Sequence, residues 1–178
     1  MQFTLTPLAE AGVAVLPPDI VWNGTVGDFA VSTDPADGPV GGLVAANPLR
    51  TAILLLLFTD ARADPRDLRF EHRGDARGWP GDGFDVDTAN GEAPLGSLLW
   101  LYRRRELSDL TAREIAAEAE RALKPLLDQG AATTVTASAT ADKVGGRVLL
   151  SVGVYGRDGS EAYAAKFDLL WKRADGRL

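Results

Sequence analysis

The chain contains no cysteine and a single histidine, His72. Disulfides, thiolate metal sites and cysteine nucleophiles are therefore excluded. A serine–histidine–aspartate triad would have to rest on His72 alone, and a two-histidine zinc site cannot form within one chain. Long apolar runs are also missing. The strongest, Ala52–Phe58, is far below the roughly 20 residues that span a bilayer. The opening Met1-Gln2-Phe3-Thr4 has no basic stretch leading into an apolar core, so no secretion signal is expected. Such a chain is expected to stay where it is made unless a larger particle carries it out. Cations are scarce at the front: residues 1–59 hold one basic and five acidic groups. Residues 60–106 hold eight and ten, and residues 107–178 hold ten of each. The total of 19 basic and 25 acidic residues, a formal charge of −6, argues against a main role in gripping phosphate backbones.

What is present fits a globular chain. The 178 residues are 46% apolar and 25% charged, enough to bury about 70% of the unfolded surface without staples. Residues 1–46 read as a Gly/Pro-rich β region, with short runs at Val13–Leu16, Ile20–Trp22 and Phe29–Val31 around turn signals such as Asn23-Gly24. Asn47-Pro48 opens a helix, since Asn caps and Pro suits the first helical position. Leu49, Ile53, Leu56 and Leu57 recur at helical spacing, and Leu54 and Leu55 make that helix apolar nearly all round. It should end near Thr59 or Asp60. Residues 60–95 form a long polar segment of alternating charge, expected to be irregular across Gly78–Pro94. A short helix is predicted over Leu95–Arg105. Thr111 and Glu114 read as a capping box, with Leu110 and Ile115 as its hydrophobic staple. The stripe Ile115, Ala119, Ala122, Leu123, Leu126 and Leu127 follows, with a kink at Pro125 and a stop at Gly130. From Val135 onward apolar residues alternate, and Asp158-Gly159 signals a two-residue hairpin. The expected fold is α+β: two main helices packed on a C-terminal three-stranded antiparallel sheet, with short N-terminal strands and a long irregular central loop. Residues 47–178 form the α+β domain, and the 1–46 region joins it in one globular unit.

Few residues point to chemistry. Asp82, Asp85, Asp87, Asn90 and Glu92 suggest a calcium loop, but the third ligand and the glycine each come one residue late and no bidentate Glu closes twelve residues. No metal and no cofactor are expected. Paired carboxylates in that loop could serve a cell-wall hydrolase, though nothing marks two differently tuned acids. His72 reads as an exposed loop histidine, without a nucleophile motif to serve. Arg103-Arg104-Arg105 lies beside Trp100 and Tyr102. On a helix, Trp100 would share a face with Arg103 or Arg104. An acidic protein partner suits these cations better than nucleic acid does. Arg77-Gly78-Trp79-Pro80-Gly81-Asp82 is the sharpest local signal, a tryptophan between glycines in a polar loop. It reads as a loop anchor or as a partner-binding anchor, since Trp and Arg dominate interface hot spots. The candidate interface residues are Arg77, Gly78, Trp79, Gly81, Asp82, Trp100, Arg103 and Arg104.

The order of several motifs resembles a known family. Trp22-Asn23-Gly24 precedes a helix ending Leu57-Phe58-Thr59-Asp60-Ala61-Arg62. Arg77-Gly78-Trp79 and Gly81-Asp82 follow, then Gly96-Ser97-Leu98-Leu99-Trp100-Leu101. An Ala/Glu-rich helix with Leu126 and Asp128-Gln129-Gly130 comes next, and Phe167-Asp168-Leu169-Leu170-Trp171 closes the pattern. Over roughly residues 20–172 this is similar to the phage Mu-type tail baseplate protein family. The middle also resembles the sheath-initiator, or lysozyme-like wedge, family of contractile tails, through Thr59, Gly96-Ser97 and Leu98. Leu95 stands where that family has Phe, the loop is longer, and Pro80 replaces a second Trp often found in Mu-type proteins. The resemblance implies a non-catalytic structural subunit of the virion tail, present in multiple copies and assembled in the host cytoplasm. Its implied partners are other baseplate wedge proteins, the tail hub or tube, and sheath proteins, commonly through a strand offered to a sheath subunit. No nucleic acid and no membrane are expected. A cell-wall hydrolase and a free oligomeric adaptor remain the alternatives.

Overall fold

The computed structural model describes residues 18–22, 27–37, 40–44, 47–79, 83–84 and 86–170. The run Val13–Leu16, the Asn23-Gly24 turn and Trp171 lie outside the described residues. The architecture is α+β, with two helices against a three-stranded antiparallel C-terminal sheet and a short N-terminal strand pair.

Helix α1 spans Pro48–Phe58 and ends at Thr59, whose backbone turns extended. Asn47 caps it: its side chain accepts from the Arg50 N–H at 3.0 Å. Ile53, Leu54, Leu56 and Leu57 are buried, and this apolar face is what makes the helix central. Leu55 alone of the leucine run reaches the surface.

Helix α2 spans Asp109–Asp128 and starts earlier than the Thr111–Glu114 pattern indicated. Ser108 is the cap, its Oγ accepting from the Thr111 N–H at 3.2 Å. Ser108 and Thr111 are both cap-type residues, three positions apart, and the first one wins because the second has another use. The Thr111 hydroxyl donates to the Glu106 carbonyl at 2.8 Å. Glu114 pairs with Arg105 instead of closing a box. Leu110 is exposed, so the expected staple does not form, and Leu107 packs on the core in its place. Ile115, Ala119, Ala122, Leu123 and Leu126 are buried, whereas Leu127 is partly exposed. The helix runs through Pro125, and Gly130 stops it at φ 70°. Ser108→Ala should cost about 1 kcal/mol through the lost cap. Urea unfolding reads this directly, and an unchanged midpoint would return the cap to Thr111.

Strands β3 (Thr134–Asp142), β4 (Arg147–Tyr155) and β5 (Glu161–Leu170) form a meander in that order, with antiparallel pairing throughout. Val148, Leu150, Val152 and Val154 of central β4, with Phe167 of β5, fill the core under the helices. The β4–β5 connection takes five residues, 156–160, because a register shift at Val154/Tyr155 spreads the turn. Gly159 supplies its positive φ of 74°.

Strands β1 (Ile20–Trp22) and β2 (Gly27–Phe29) pair antiparallel. Several contacts fasten them to the rest of the fold. Buried Asp19 accepts from the Asn47 N–H at 2.8 and 3.0 Å. The Ile20 N–H donates to the Thr51 hydroxyl at 2.9 Å. Trp22 stacks on Phe58 at 4.5 Å and meets the edge of Phe167 at 6.0 Å.

Among its described residues, the central segment holds only single 3-10 turns, at Pro65–Asp67, Phe70–His72 and Thr88–Asn90. The helix expected over Leu95–Arg105 shrinks to one turn, Leu99–Tyr102. Gly96 at φ 107° cannot start it, and Ser108 opens the next helix soon after.

Candidate protein-binding surface

The surface is assembled around Trp100, and its foundation is Gly96-Ser97. A side chain on Gly96 would place Cβ 2.5 Å from the Thr59 carbonyl oxygen. That close approach lets residues 59–61 and 97 pair: the Ser97 N–H donates to Thr59 O at 2.9 Å and the Ala61 N–H to Ser97 O at 3.0 Å. Buried Ser97 donates its hydroxyl to the Leu57 carbonyl at 2.5 Å and accepts from the Leu99 N–H at 3.2 Å. Glu118 of α2, 8% exposed, takes the Leu98 N–H at 2.6 Å. Arg121 neutralises that carboxylate through two bonds, at 2.6 and 2.7 Å, as a buried acid requires. The 99–102 turn is therefore stitched to both helices.

Trp100 is 4% exposed and donates its Nε1–H to the Ala61 carbonyl at 2.9 Å. Above its face lies the Arg77 guanidinium, 4.7 Å from the ring centre. Arg77 is held by Asp60 at 2.5 Å and by Asp75 at 3.7 Å, and Arg103 also approaches Asp60 at 3.8 Å. A planar guanidinium is the group suited to such simultaneous stacking and pairing. The returning limb of the loop lies close: the Ala63 N–H donates to Ala76 O, and Arg62 Nη1 donates to Arg77 O at 3.4 Å. Gly78 backs onto Arg62, where a Cβ would sit 2.7 Å from Arg62 Cβ.

Around this stack opens a cleft of about 430 Å³. Glu71, His72, Arg73, Asp75, Arg77, Trp100, Arg103 and Arg104 line it. Arg77, Trp100, Arg103 and Arg104 thus come together as one site, although Trp100 serves it from below. Gly78 and Trp79 adjoin it in sequence. Trp79 is 55% exposed, so it is not tucked into the core. Gly81 and Asp82 lie outside the described residues.

His72 differs from the exposed loop residue expected of it. It is half-buried and ends the Phe70–His72 turn, with its ring edge toward Trp100 at 5.5 Å. Its Nδ1 accepts from the Arg69 N–H at 2.8 Å, and Nε2 lies 3.3 Å from the Leu101 carbonyl. The tautomer with the proton on Nε2 satisfies both bonds. Tyr102 lines a neighbouring hollow with His72, and burial, then the charges of Glu118 and Glu114, raise its phenol's pKa.

The acidic loop is organised by its own backbone. Asp87 accepts from the Ala89 and Asn90 N–H groups at 3.1 and 3.3 Å, and Glu92 accepts from the Asp87 N–H at 2.8 Å. Asp82 and Asp85 lie outside the described residues. Among the described residues, no three acidic or histidine side chains gather in a metal-holding group, and no helix is long and apolar enough to cross a membrane.

Sequence reasoning missed Ser97, Asp60 and Glu118 as parts of this site. The only available signal was a charged residue on the apolar side of a helical stripe: Glu118 falls three after Ile115 and four before Ala122.

Comparison with known proteins agrees with the motif order. The family model described as "Phage protein GP46" matches residues 49–161, a span containing every element of the cleft. The chain is also 31% identical over 120 residues to "Baseplate protein gp46" of Escherichia phage Mu, covering 67% of this chain and 74% of that protein. No solved structure matches the chain. The chain belongs to the phage GP46 family, which includes the baseplate protein of phage Mu.

Proposed function

We propose that the chain is a structural subunit of a phage tail baseplate, of the wedge or sheath-initiator type in a contractile tail. The observation that carries the reading is its likeness to the Mu baseplate protein over 120 residues, with the family model spanning both helices and strands β3 and β4. It acts through protein–protein contacts and not through catalysis, in multiple copies, and is assembled in the host cytoplasm into the virion tail. Its partners are other wedge proteins, the tail hub or tube, and sheath proteins. Residues 1–46 and 47–178 act as one unit, which fits the Asp19, Thr51 and Trp22 contacts across that boundary.

Two surfaces support the contact role. The arginine cleft, with Trp79 beside it, has the residue types of an interface anchor. The second is the outer edge of β5, which pairs with no strand among the described residues. The opposite edge, on β3, is less open: α2 packs along that strand, and Glu120 takes the Ala137 N–H at 2.9 Å. Strand addition by a sheath subunit therefore belongs at β5. The hydrolase alternative is not favoured, since Asp87 and Glu92 each hold a backbone N–H group and so serve the loop's own structure. An amber allele of this gene in its phage should give heads without sheathed tails, seen by negative-stain microscopy. Normal tails and full titre without the protein would remove the proposal.

A further inference from the structure

Resting on that assembly reading, we propose that the cleft around Trp100 is a carboxylate socket that receives an acidic segment of a partner protein. Four arginines line it, Arg73, Arg77, Arg103 and Arg104, against two acids, Glu71 and Asp75. That local excess of positive charge lies in a chain of net charge −6. The four differ in their commitments. Arg77 and Arg103 are tied to Asp60. Arg73 and Arg104 pair with no carboxylate among the described residues, and Arg104 reaches only the Glu71 backbone carbonyl, at 3.2 Å. The committed pair forms a fixed floor, and the other two forks remain for a ligand.

The backbone adds an independent observation. Among the described residues, only two non-glycine positions have positive φ, Arg73 at 51° and Arg77 at 49°. Both line this cleft. A side chain in that region costs of order 1 kcal/mol, and glycine would avoid it. The chain carries arginine at both, and both residues line the one concavity.

The ligand's chemistry follows from the lining. All eight basic residues between 60 and 106 are arginine, the residue whose planar fork matches a carboxylate bidentately. A phosphate backbone would match the fork too. However, Glu71 and Asp75 on the rim and the overall negative charge oppose a continuous polyanion. A short protein segment with one or two Asp or Glu side chains fits between them.

Fluorescence anisotropy of the full chain with a labelled hexaglutamate peptide tests the socket. Binding should weaken between 50 and 200 mM salt. Arg73→Ala with Arg104→Ala should lose affinity by about tenfold or more, with little change in melting temperature, because neither side chain holds a carboxylate and the Arg104 bond to the Glu71 carbonyl is exposed. Arg73→Gly should weaken binding while raising the melting temperature by a few degrees, since it relieves the positive φ. No binding by the wild type, equal binding by the double variant, or tighter competition by a 20-nucleotide single strand would each overturn the socket. These readouts use purified chain, whereas the assembly reading stands or falls on the presence of the chain in tails, so the two failures are distinguishable.

Discussion

Trp100→Ala is expected to destabilise the chain by about 3–5 kcal/mol, the usual cost of emptying a buried indole site. The ring is 4% exposed and contacts the buried Ala63 and Leu101. Its Nε1–H is the donor that holds the Ala61 carbonyl. Loss of the ring leaves that carbonyl without this donor and removes the platform beneath Arg77. For a chain of this size, roughly 2–4 °C per kcal/mol puts the fall in melting temperature at about 10 °C. The effect should also be local. Protection of amides at 61–63 and 76–78 should drop in hydrogen exchange before that of β4. A fall below about 3 °C, with the 61–78 loop still protected, would mean that the loop is held from elsewhere. Trp100→Phe should recover most of the packing but not the hydrogen bond.

Gly96→Ala should be nearly as damaging although it adds a single methyl group. The added Cβ would lie 2.5 Å from Thr59 O and 3.1 Å from Ala61 N. Both are backbone atoms, so no side chain can swing aside. The φ of 107° is itself unfavourable for alanine. Strain and overpacking together suggest a loss of about 3 kcal/mol. The Asp60–Ser97 bridge must part to relieve the overlap, so Arg77 should lose its Asp60 partner too. Thermal unfolding measures the loss, and a change within about 0.5 kcal/mol would show that residues 59–61 can move away freely. Gly41→Ala supplies the comparison, since it has a positive φ of 84° but open space around the site.

These two residues also show what could be read from sequence. Gly96-Ser97 and Trp100 stood out as parts of a motif order, but their reason is tertiary: Gly96 admits Thr59, and Ser97 reaches Leu57, forty positions back. Periodicity located α1, α2 and the three long strands because each buries one regular face. It misplaced the start of α2 since Ser108 and Thr111 are chemically equivalent as caps until Glu106 claims the threonine hydroxyl. The 95–105 segment carried helical composition, yet only one turn formed because Gly96 and Ser97 are committed to α1. In the cleft, Arg77, Arg103 and Arg104 were legible as basic residues near tryptophan. Their meeting with Arg73 was not, since it depends on two left-handed residues in a polar loop without periodicity. His72 was misjudged for the same reason: nothing local announces the carbonyl of Leu101.

Cryo-electron microscopy of purified particles decides whether this chain is a baseplate subunit. Density for the 48–170 fold is expected in repeated copies around the tail axis at the baseplate, with the Trp100 cleft against a partner chain. Intact tails in which neither density nor mass spectrometry finds this chain would contradict it.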